Sequence, residues 1–113
     1  MKCINKTKNI QVSAEVYLAD NFFSRLKGLM FKSGLKKGEG LLIKQCKQVH
    51  TFFMKFDIDV VFLDKSGKAV YIAQNMGGRK ISKWILKACD ALEFEAGYSA
   101  GRIELGDEIE FLR

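Results

Sequence analysis

The chain has 113 residues, 48% of them hydrophobic and 28% charged, with nine Phe and a formal net charge of +6. That length predicts a single domain over residues 1–113, and the composition excludes a disordered or collagen-like chain. No window approaches the roughly 18 apolar residues of a membrane-spanning helix, and the opening MKCINKTKN has no apolar segment of the signal-peptide kind.

Taken in chain order, Gln11 to Leu18 alternates, with Val12, Ala14, Val16 and Leu18 on one side, and predicts a half-buried strand. Lys2–Lys6 is its expected hairpin partner through Thr7–Asn9. Asp20 has the character of a helix N-cap before NFFSRLKGLMF, in which Phe22, Leu26, Leu29 and Met30 share a face and Arg25 lies beside it. Gly28 is unfavourable inside a helix and suggests close backbone approach or the helix end. Lys36–Gly40 reads as a loop and Gly40–Lys44 as a short strand. His50–Met54 and Ile58–Leu63 predict two strands, or one bent strand, and the second is apolar enough to be buried on both faces. Asp64–Gly67 is a turn, returning Lys68–Ala73 as a hairpin partner. Gln74–Ser82, with Gly77–Gly78, is expected to be a flexible flap, and Ser82–Lys87 has no clear pattern. Ala91–Glu95 alternates as a strand, Ala96–Arg102 is a turn or one helical turn, and Asp107–Leu112 closes the chain as a strand.

The chemistry-bearing residues are few. Cys3, Cys46 and Cys89 are odd in number and form no CxxC pair, which predicts free thiols and a reducing, cytoplasmic setting. Cys46 and His50 are four apart, but on a strand or loop this makes neither a metal half-site nor a thiol–imidazole pair, and no ligand set with zinc spacing exists; no metal or cofactor is expected. His50 is the lone histidine, the side-chain type that changes charge near neutral pH, and Thr51 adds a hydroxyl beside it. The plainer reading is a strand histidine capping the core. Asp59 interrupts an apolar strand, so it must be paired, protonated or turned outward. Arg25 is its expected ion-pair partner, with Glu93 competing for that arginine; a guanidinium in that place could instead grip a ligand carboxylate or phosphate. Met30 and Met54, with Phe52 and Phe53, are candidate walls of an apolar pocket or simply core.

Residues 1–56 hold 11 Lys/Arg against 3 Asp/Glu, and residues 57–113 hold 8 against 10. That asymmetry could serve an anionic partner, but no RNP, KH or helix-turn-helix pattern accompanies it, and KKGEG lacks the GK[ST] of a phosphate loop.

The segments RLKGLMFKSGLKKGEGLLI, HTFFMKFDIDVVFLDKSGKAV and ALEFEAGYSAGRIELGDEIEF, in this order over about residues 10–112, resemble the domain of unknown function 192 family. The resemblance implies a compact, mainly β, single domain, sandwich- or barrel-like, with one short α-helix carrying the GLM motif. It implies no activity. The family commonly has Pro where this chain has Asp57, and many of its members carry an export signal, so it does not fix localisation. Together these readings favour a binding or accessory module that holds a small molecule or a protein segment in a pocket, with Arg25, Met30, His50, Thr51, Met54 and Asp59 as candidate site residues. The alternative is a small hydrolase or transferase using His50 with Asp59 or Arg25, and the third reading is nucleic-acid binding through the basic N-terminal half.

Overall fold

A computed structural model of the chain describes residues 1–19, 35–51 and 56–113. Eight strands are present among them: β1 Lys2–Asn5, β2 Ile10–Ser13, β3 Glu15–Ala19, β4 Glu39–Ile43, β5 Ile58–Leu63, β6 Ala69–Met76, β7 Asp90–Glu95 and β8 Ile109–Leu112. They form a three-stranded sheet, β2-β1-β8, and a five-stranded sheet, β3-β4-β7-β5-β6. The mainly β expectation is met. No described residue is α-helical, and the expected GLM helix at 21–31 lies outside the described residues. The barrel-like alternative is corrected among the described residues: β3 and β6 end the larger sheet and do not pair, so it does not close.

The sheet order follows from burial. All six residues of β5 are buried, as its unbroken apolar run demands, and β5 lies inside the sheet between β7 and β6. Asp64 makes the β5–β6 turn: its Oδ1 accepts the backbone N–H groups of Ser66 (2.9 Å) and Lys68 (3.0 Å). Alternation then assigns the faces. Leu42, Val61, Leu63, Leu92 and Phe94 join Cys3, Val12 and Ile109 of the smaller sheet in one core. Leu41, Ile43, Ile58, Val60, Phe62 and Ala91 form a second apolar cluster on the other face.

Two strand expectations need correction. Gln11–Leu18 is not one strand. It breaks at Ala14, which is exposed while Ser13 is buried, and its halves enter different sheets. Ser13 makes the break: Glu15 N–H donates to its Oγ (3.2 Å), and its hydroxyl reaches the Gly38 carbonyl. A Ser side chain thus takes over backbone bonding that a continuous strand would have made. The second correction concerns the expected flap at 74–82. Gln74–Met76 continue β6, and Lys80 and Ser82 are tied by backbone bonds to Thr51 and Val49 (both 2.9 Å).

Candidate functional site

Among the described residues β6 is an end strand, and only part of its outer side is covered. At its start Ala69 exchanges backbone bonds with the 106–107 turn (Ala69 N–H to Asp107 O, 2.9 Å; Gly106 N–H to Ala69 O, 2.8 Å). From Tyr71 onward the strand fronts an open cleft of about 450 Å³. One wall is Tyr71–Met76, the floor of the turn is Gly77, and the opposite wall is Lys80–Lys83. Tyr71, Ile72 and Ala73 are half-buried there, and the Lys83 ammonium lies 5.7 Å from the centre of the Tyr71 ring.

Both walls are held from behind by residues that sequence reasoning singled out. Asp59 holds the β6 wall. Its side chain is fully buried, and its two oxygens accept four hydrogen bonds: Oδ1 from the backbone N–H of Asn75 (2.9 Å) and Gly97 (3.0 Å), Oδ2 from the backbone N–H (3.0 Å) and hydroxyl (2.6 Å) of Ser99. Burial pushes this carboxyl up, but the Ser99 hydroxyl and the three amides outweigh it and hold it below the usual carboxylate range. Asn75 is fixed in a left-handed conformation (φ 53°) at the cleft end of the strand. Thr51 holds the other wall. It is buried, its backbone N–H donates to Lys80 O (2.9 Å), and its Oγ1 accepts the Lys80 N–H (2.7 Å). His50 is exposed and its backbone bridges to Ile81. Ser82 closes this attachment by accepting the Val49 N–H at its Oγ (3.0 Å).

The four donors named above come to a carboxylate with about four acceptor sites, so Asp59 is engaged in holding backbone and the Ser99 hydroxyl. Arg25, Met30 and Met54 lie outside the described residues, as does the expected Arg25–Asp59 ion pair. Glu93 is on the opposite face of the sheet from Asp59, since it registers with Leu41 and Val60. It is buried, its Oε2 has no hydrogen-bond partner among the described residues, and burial pushes its carboxyl up to about 8, so it carries its proton at neutral pH.

The remaining candidates are structural. Cys3 and Cys89 are free thiols, as expected, and the Cys46 thiol reaches the Gln48 carbonyl (3.2 Å). Cys3 is buried, and burial pushes its thiol up to about 12, far from a reactive thiolate. Asp107 acts as a turn acceptor, taking bonds from Asn5 Nδ2 (2.8 Å) and Glu104 N–H (2.9 Å). Among the described residues no three His, Cys, Asp or Glu side chains cluster in a metal-holding arrangement, and no helix is long and apolar enough to cross a membrane. Sequence reasoning marked residues 74–82 as a flap but missed that they front Tyr71–Ala73 across a cleft, because the walls come together only through the Asn75 and Lys80 attachments. A usable signal was the apolar stretch AVYI, which continues past the hairpin turn without a charge.

Comparison with known proteins agrees with this architecture. The family model DUF192, described as "Uncharacterized ACR, COG1430", matches residues 3–111. The chain is 37% identical over 70 residues to the UPF0127 protein PH1112 of Pyrococcus horikoshii, an alignment covering 59% of this chain and 61% of that protein. It is 27% identical to the UPF0127 protein PYRAB11210 of Pyrococcus abyssi across 96% of both chains. A crystal structure of a protein of unknown function from Novosphingobium aromaticivorans superposes with a TM-score of 0.77 at 18% identity, over 98% of this chain and 93% of that one, a likeness of fold alone.

Proposed function

Since this chain belongs to the DUF192 family, whose description assigns no activity, we propose from its own geometry that it is a binding module taking an extended protein segment along the outer edge of β6. We read the two sheets as an open sandwich that leaves this edge available. The observation that carries the reading is the stretch of β6 from Tyr71 that no described strand pairs on its outer side, facing a cleft of about 450 Å³ with a second, fastened wall. An end strand presents a row of backbone donors and acceptors, and an added strand satisfies them while alternate side chains fill pockets. Tyr71 and Ala73 lie on one side of the strand and Ile72 on the other, so an incoming segment meets apolar surface on both sides of its backbone. Sites of this kind depend on rigid walls, and the Asp59–Asn75 and Thr51–Lys80 bonds supply them.

The test is to select heptapeptides from a random library against the purified protein and then methylate the backbone nitrogens of the best binder one at a time. Strand addition requires that methylation at alternate positions abolishes binding while methylation between them is tolerated. Selected peptides that tolerate every backbone methylation, or that bind equally well after Ala73→Pro in a variant that still unfolds cooperatively, would exclude strand addition at β6.

A further inference from the structure

The outward side of the cleft's second wall has a character of its own. Residues 79–87 read RKISKWILK, with four cations and no acid. Ile81, Trp84 and Leu86 are 60%, 64% and 76% exposed. Apolar side chains this large and this exposed within six residues call for a reason, because a contiguous apolar patch rimmed by polar groups marks an interaction surface.

This exposure is built into the fold. Between and beside the exposed positions the segment is fastened to residues 47–51: Lys80 O accepts the Thr51 N–H (2.9 Å), Ser82 N–H donates to Val49 O (2.9 Å), and Ile85 N–H donates to Lys47 O (2.8 Å). The Lys47 ammonium donates to the Leu86 carbonyl (2.7 Å). Ser82 and Ile85 are half-buried and Ala88 is buried, so the pinned backbone turns those side chains in and holds the other three out in water. The nearest acid along the chain, Asp90, is engaged by Lys44 (3.0 Å) and leaves the positive rim uncancelled.

We propose that this segment docks the protein on a membrane surface bearing anionic phospholipid. Arg79, Lys80, Lys83 and Lys87 would lie at the headgroups, and Ile81, Trp84 and Leu86 would enter the headgroup–acyl boundary. Tryptophan beside aliphatic side chains is suited to that boundary, and lysines around them are drawn to anionic lipid. The rim carries one sign of charge only, whereas a surface meeting another protein ordinarily mixes donors, acceptors and both signs. The strand-addition reading rests on the β6 edge and not on this surface, although Lys80, Ile81 and Lys83 also line the cleft in front of that edge; Arg79, Trp84, Leu86 and Lys87 do not.

Trp84 is the only tryptophan, so its emission reports on the segment directly. Mixed phosphatidylcholine–phosphatidylserine vesicles should shift that emission to the blue and carry the protein down in sedimentation. Pure phosphatidylcholine vesicles should bind at least about tenfold more weakly, and raised salt should weaken binding to the mixed vesicles. The double variants Ile81→Ser with Leu86→Ser, and Lys83→Glu with Lys87→Glu, keep the fluorophore and alter exposed side chains only; each should lower binding about tenfold or more with cooperative unfolding retained. The proposal is overturned if mixed vesicles neither shift the emission nor sediment the protein, or if both variants bind like the parent chain. It is also overturned if the emission responds to single-stranded oligonucleotides and not to vesicles, or if the protein is a dimer that already buries Trp84.

Discussion

Asp59 and Glu93 are acids buried in the same sheet, and their surroundings drive them to opposite charge states. Four donors converge on Asp59, whereas Glu93, beside Leu41 and Val60, has an oxygen with no partner among the described residues. Asp59→Ala would leave buried amides and the Ser99 hydroxyl unsatisfied, and should cost about 3–5 kcal/mol in urea unfolding. The variant should also speed exchange of the Asn75 amide, because that amide loses its acceptor. Glu93 gives the reverse pH behaviour. Its carboxyl is raised in the folded protein from 4.5 to about 8, so between those values the unfolded chain releases a proton that the folded chain keeps. Stability should therefore fall as pH rises from about 4.5 to 8, by on the order of 5 kcal/mol in total, and level off above. Glu93→Gln should remove that slope and raise stability at pH 8. An unchanged slope in urea titrations across this range would show that Glu93 ionises freely in the folded state. The Asp59 contribution has the opposite sign: it is present above the unfolded value near 3.8 and disappears as pH falls through the lower folded one, so the two windows are separate.

At the scale of elements, apolar runs and alternation between turn residues found β4, β5, β7 and β8 within a residue or two, because each packs at least one apolar face. It failed where a single side chain redirects the backbone. Ser13 splits the strand that Val12, Ala14 and Val16 suggested, and Asn75 sustains β6 beyond the expected end through a left-handed residue bonded to Asp59. Neither event leaves a periodic trace. The β4–β7 pairing supplies another prediction. A Cβ on Gly40 would sit 2.7 Å from the fully buried Phe94 ring, which cannot swing aside. Gly40→Ala should therefore cost about 1–3 kcal/mol by overpacking, read as a lower urea midpoint with an unchanged slope. Thr51→Val keeps shape but removes the acceptor for the Lys80 N–H, and should cost about 1–3 kcal/mol. Its distinguishing effect is local: faster amide exchange at Lys80 and weaker peptide binding, with the β5 amides unchanged.

For the whole molecule, the sequence made the mainly β class and the family resemblance legible because apolar alternation and turn residues are local properties. The site was legible only in part. Asp59 stood out as an acid in an apolar strand and Thr51 as a hydroxyl beside His50, yet their role, fastening the two walls, depends on partners 16 and 29 residues away. The donors that engage Asp59 reach it from β6 and from the turn after β7, which no local pattern around Asp59 announces. The segment 79–87, basic and with three exposed apolar side chains, lies in the half with the lower net charge, so the charge asymmetry between the halves does not point to it. Amide hydrogen exchange of the protein with and without a selected heptapeptide tests the central claim, that β6 accepts an added strand, most directly. Slowed exchange at alternate amides within Tyr71–Gln74, with the β1 and β8 amides unaffected, is the expected result. Bound peptide that leaves those amides unchanged and protects another surface would contradict it.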